Sequence, residues 1–166
     1  MKRSNTHLAY HEAGHAVVAL AEGLHVKSVS IRRGSEGLSD SMSFYVYGYH
    51  FRNGREKRMI ARSCILGVLA GLAAERQYFP ETPETPVVDD FEVAFEISHE
   101  FAVLPRSART IGDDAHLAYL DRLQKEAARL LHKHGPAVVA VAKALLEKKT
   151  LQADELEYLI SRTATA

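Results

Sequence analysis

Residues 6–22 read THLAYHEAGHAVVALAE, and the reading of this stretch decides both the fold class and the chemistry. Leu8, Ala9, Ala13, Ala16, Val17 and Leu20 recur at helical spacing, which predicts a helix from Thr6 to Glu22 with a covered side. Ser4, Asn5 and Thr6 are candidate N-caps, and Gly23 is a stop signal. Inside the helix lies His11-Glu12-Ala13-Gly14-His15, an HExxH pattern. Helix residues four apart lie one above the other, so His11 and His15 can offer imidazole nitrogens to one metal ion. Zinc suits neutral imidazole and needs a third protein ligand beside an open position for water. Glu12 is turned to the side of that pair, where a carboxylate can take a proton from water and pass it to a leaving amine. The plain alternative is a surface helix with two ordinary histidines. The Ala/Val-rich surroundings argue for burial instead, where imidazoles without partners cost desolvation energy.

Outward from this helix, Val26 to Arg33 alternates apolar and polar residues and reads as a strand. A Gly/Ser turn region follows, and the aromatic run Ser43 to Tyr49 is expected to be its antiparallel partner. Val26 to Ile31 or Phe44 to Tyr49 offers an edge on which an extended peptide can pair, unless the small sheet only packs the helices. A long helix is expected over Gly54–Tyr78, with Ile60, Cys64, Ile65, Val68, Leu69 and Leu72 as its buried stripe. Gly67 and Gly71, four apart, weaken that helix slightly but allow another backbone to come close. After the FPETPETP loop, helices are expected over Val88–Leu104, Asp113–Lys133, Pro136–Lys148 and Ala153–Ile160. The expected fold is therefore mainly α (α+β), with a small two- or three-stranded sheet and a single domain over 1–166.

Composition narrows the function. The 166 residues are 46% hydrophobic and 25% charged, which is ordinary globular usage. The 21 Lys+Arg balance the 21 Asp+Glu, so no bulk field favours nucleic acid or an anionic membrane. One cysteine leaves no internal disulfide and no cysteine-rich zinc site. No run reaches the ~20 apolar residues that span a bilayer, and the start lacks a secretory apolar core, so a cytoplasmic location is expected. The candidates for third metal ligand are Glu75 in LAGLAAE and Asp89 or Asp90 in VVDDF. Each has a bland reading too: helix N-capping for the aspartates, and a solvated helix end for Glu75. Spacing leaves all three open.

YHEAGHAVVAL, then VKSVSI, LAGLAAE, DDFEVA and ALLEKKTLQADELEYLI together resemble, in order, the peptidase domain of the FtsH family of ATP-dependent zinc metalloproteases (peptidase family M41). The resemblance runs from about Leu8 to Ile160. It implies a zinc-dependent metallopeptidase acting on unfolded or small polypeptides, with His11, His15 and Asp90 on Zn2+ and Glu12 as general base. Asp90 takes the family's ligand place at the start of a helix and is favoured over Asp89, and both over Glu75. Glu75 matches the family's Ala-Ala-Glu and is implied to orient a ligating histidine from behind. Departures exist: Phe95 stands where the family has Thr, Arg32-Arg33-Gly34 replaces its Pro-Arg-Gly, and the segment after the Asp90 helix differs. No Gly-x-x-x-x-Gly-Lys-Ser/Thr loop occurs in these residues, so the expectation is a stand-alone peptidase domain that either is served by a separate AAA ATPase or accepts only flexible chains. The family's six-fold rings imply a homo-oligomer, a hexamer by resemblance. Two rival readings use the same residues: a non-proteolytic peptide- or partner-binding module, and a zinc hydrolase of another amide.

Overall fold

The computed structural model describes residues 4–32, 50–81, 88–101 and 113–163. Among these the element order is α1 (Asn5–Ala21), β1 (Ser28–Ser30), α2 (Gly54–Tyr78), α3 (Val88–Glu100), α4 (Asp113–Lys133), α5 (Gly135–Lys148), β2 (Thr150–Gln152) and α6 (Ala153–Thr163). The fold is mainly α with a small antiparallel sheet, as the hydrophobic spacing predicts.

Local chemistry explains the helix ends. The Ser4 hydroxyl accepts from the His7 N–H and caps α1. Gly23, at φ +78°, takes the left-handed turn that stops it. Asn53 caps α2 by accepting from the Arg55 and Glu56 N–H groups at 3.0 Å each. Lys149, at φ 69°, closes α5 and turns the chain into β2.

Helix α1 is more deeply covered than its spacing suggests. Every residue from His11 to Ala19 is buried, because α2, α4, α5 and β1 pack around it. A helix enclosed on all sides is apolar all round, which makes two histidines and a glutamate within it conspicuous. Helix α2 runs antiparallel to α1: Ser63 reaches Glu22, Gly67 reaches His15, and His7 meets Phe79. The two axes come close because Gly14 has no side chain. A Cβ there would stand 2.7 Å from both the Ala70 carbonyl oxygen and the Ala74 methyl. On other sides α2 packs against α3 and α4.

The sheet contains a pairing that the sequence reading does not name. The expected partner of the first strand, Ser43 to Tyr49, lies outside the described residues, as do 82–87 of the proline loop and 102–104 of the third helix. Among the described residues β1 pairs with β2, with Val29 opposite Leu151. Both of those side chains are buried, so this pair carries the sheet's apolar face into the core. The three residues of β2 sit between two strong helical patterns and are too few for any periodicity to show. Among the described residues, no helix is long and apolar enough to cross a membrane.

Candidate metal centre

Two elements bring the chemically suggestive side chains together. Helix α1 presents His11 and His15 one turn apart, and α3 brings Asp90 in its first turn. Nε2 of His11 stands 2.9 Å from Nε2 of His15, and Asp90 Oδ2 lies 3.3 Å from the first and 3.5 Å from the second. Two ligand atoms bound at ~2.0–2.1 Å from one zinc ion, at a tetrahedral angle, stand about 3.3 Å apart. The observed triangle is of that size. No other group of three or more such ligands is found among the described residues.

Hydrogen-bond chemistry shows what these atoms offer. Nδ1 of His15 lies 2.8 Å from the Gly67 carbonyl oxygen. A carbonyl only accepts, so Nδ1 carries the proton and a neutral His15 turns a bare lone pair outward at Nε2. Nδ1 of His11 lies 2.8 Å from Glu75 Oε1, and a carboxylate there favours the same tautomer. Two bare imidazole nitrogens and a carboxylate oxygen then aim at one point, where their like partial charges repel unless a cation or protons lie between them. The donor set of two imidazoles and a carboxylate suits zinc, and the residues present fit it.

The positions bear on the residues named from the sequence, except that the side chain of Asp89 lies outside the described residues. Asp90 faces both Nε2 atoms, whereas Glu75 meets His11 at Nδ1, on the far side of the ring. Neither is a solvated surface acid, since the side chains keep 15% and 18% of their surface for Glu75 and Asp90 respectively. Glu12 is 2% exposed, next to His11 in the enclosed part of α1. His7 is half-buried, edge-on to Phe79 with ring centres 4.1 Å apart. His99 is exposed and stacks on the buried His116 at 3.6 Å. Ser98 Oγ lies 2.8 Å from His116 Nδ1. Burial and the neighbouring Lys133 push the pKa of His134 down. Cys64 is buried, and desolvation pushes its thiol up to about 12, so it is inert.

The contribution that sequence reading missed is the Gly67 carbonyl. A main-chain acceptor leaves no residue-type signal. The only trace is spacing: positions 67, 71 and 75 fall on one stripe of α2, facing the α1 histidines.

No family model matches the chain. The chain is similar to the ATP-dependent zinc metalloprotease FtsH 2 of Sphaerobacter thermophilus, with 29% identity over 183 aligned positions. That alignment covers 96% of this chain and 27% of the relative, so the chain spans about a quarter of the length of the curated protein it matches.

Proposed function

We propose that this chain is a single FtsH-type zinc metallopeptidase domain that hydrolyses peptide bonds in unfolded or small polypeptides. The observation that carries the reading is the triangle of His11 Nε2, His15 Nε2 and Asp90 Oδ2, at 2.9, 3.3 and 3.5 Å, beside a buried glutamate. His11, His15 and Asp90 would hold the ion, with Gly67 and Glu75 setting the tautomers behind them. A bound zinc ion supplies a Lewis acid that polarises the scissile carbonyl and lowers the pKa of water toward ~7. Glu12 takes the proton of the attacking water on a carboxylate oxygen and returns it to the leaving amine nitrogen. Its burial shields that proton from exchange with bulk water. Similarity to the Sphaerobacter protein supports the peptidase reading over another amide hydrolase. By the resemblance of its motifs to the FtsH family, a AAA ATPase delivers substrate and the domains assemble as a six-membered ring.

Glu12→Gln tests this reading. It keeps the shape of the side chain and removes the base. The expected result is one zinc per chain by elemental mass spectrometry in both proteins, with hydrolysis of casein or a quenched fluorescent peptide only in the wild type. Zinc retained and no hydrolysis by the wild type, on proteins or peptides, would favour a binding module. A Glu12→Gln variant as active as the wild type would refute the assignment of the base.

A further inference from the structure

Each imidazole of the candidate centre is held at one nitrogen by α2. The Gly67 carbonyl oxygen lies 2.8 Å from Nδ1 of His15, and Glu75 Oε1 lies 2.8 Å from Nδ1 of His11. Between those two anchors, one helical turn from each, lies Gly71. A Cβ built on Gly71 would stand 2.4 Å from both Cε1 and Nε2 of His15, and 2.7 Å from Cε1 of His11. Ordinary contact begins near 3.4 Å, so a single methyl would overlap both rings by about 0.7–1 Å.

We propose that Gly71 is a positioning residue for the metal: the side chain it lacks is the space in which both imidazoles turn their Nε2 atoms to one ion. This rests on the metal reading above and deepens it. The rings have no cheap way around a methyl group. Swinging the His15 ring aside breaks its bond to the Gly67 carbonyl, and swinging the His11 ring aside loses its 2.8 Å contact with Glu75; either motion carries Nε2 out of the triangle. Lifting α1 away instead opens the contact of Gly14 with Ala70 and Ala74. A glycine inside a helix weakens it relative to alanine, so nothing local to α2 favours glycine at this place. The spacing of α2 accounts for the arrangement, because 67, 71 and 75 lie on one face. The first lends a carbonyl, the second lends space, and the third lends a carboxylate.

The test has two readouts. Wild type and Gly71→Ala are titrated with Co2+, whose visible absorption reports four-coordinate binding, and then with Zn2+ in competition. The wild type is expected to bind one ion. The variant should bind about 10–100-fold more weakly, the loss typical when the support behind a metal ligand is removed. Equal affinity with an unchanged cobalt spectrum would overturn the inference and leave the metal reading standing. A wild type that binds neither ion would overturn both. Thermal midpoints in chelator separate a contact with the rings from general damage to the helix. Gly71→Ala should lower the midpoint of the wild type but raise that of His11→Ala/His15→Ala, where the rings are gone and only helix propensity remains. A lowered midpoint in both backgrounds would show that the methyl group meets something other than the histidines, and would overturn the inference. Should Gly71→Ala alone not fold, the triple variant still reads that sign.

Discussion

Gly14→Ala tests the contact that brings α1 within reach of α2. Two effects oppose each other. Replacing a helix-interior glycine by alanine gains about 1 kcal/mol of propensity. Against that, the new methyl would stand 2.7 Å from the Ala70 carbonyl oxygen, 2.7 Å from the Ala74 methyl and 3.3 Å from the Ala70 carbonyl carbon. None of these atoms belongs to a flexible side chain that can rotate away, so the helices must part by about 0.7–1 Å. Overpacking of this kind costs about 1–3 kcal/mol. The backbone nature of the obstacle puts this case in the upper half, for a net loss of about 1–2 kcal/mol. In a chain of this size that is a fall of about 2–8 °C in Tm. The assay is thermal and urea unfolding in chelator, so that metal binding adds nothing to the comparison. Gly23→Ala is the control of a different kind: a Cβ there meets nothing within 4 Å, and its cost comes only from φ +78°. A Gly14→Ala protein that is more stable than the wild type would refute the close approach of the two helices.

Two further outcomes follow from the same geometry. Glu75→Ala removes the carboxylate 2.8 Å from His11 Nδ1 and should weaken zinc binding about 10–100-fold in chelator competition, while Asp90→Ala should abolish stoichiometric binding. Cys64, with its thiol pushed up to about 12 by burial, should resist iodoacetamide at pH 8 in the folded protein and react once urea unfolds it. Its folded pKa lies above the unfolded value near ~8.5. Its contribution to stability is therefore full below that value and is lost as pH rises toward 12. The stability of wild type relative to Cys64→Ala should fall between pH 8 and 10 in urea titrations.

The parts of this protein that were legible in the sequence are those set by neighbours along the chain. His11 and His15 share a helix face because 3.6 residues make a turn, and no tertiary contact is needed to know it. The cap at Ser4 and the stop at Gly23 are equally local, as is the long apolar spacing of α2. Asp90 was reachable only by resemblance, because the spacing of carboxylates does not show which one a fold carries to a distant helix.

Other features depend on elements far apart in the chain. Thr150–Gln152 is a strand only because β1 lies beside it, and three residues hold too little pattern to announce that. Glu75 and Asp90 are both half-buried acids near His11, yet one stands behind the ring at Nδ1 and the other in front at Nε2. The packing of α2 and α3 on α1 makes that difference. The Gly67 carbonyl is a main-chain group present at every residue, so its role exists only in three dimensions. The sequence by itself determined which side chains share a helical turn, since helix geometry is local. The tertiary structure decided which nitrogen of each imidazole is occupied and which is left bare, because that depends on a helix more than fifty residues away.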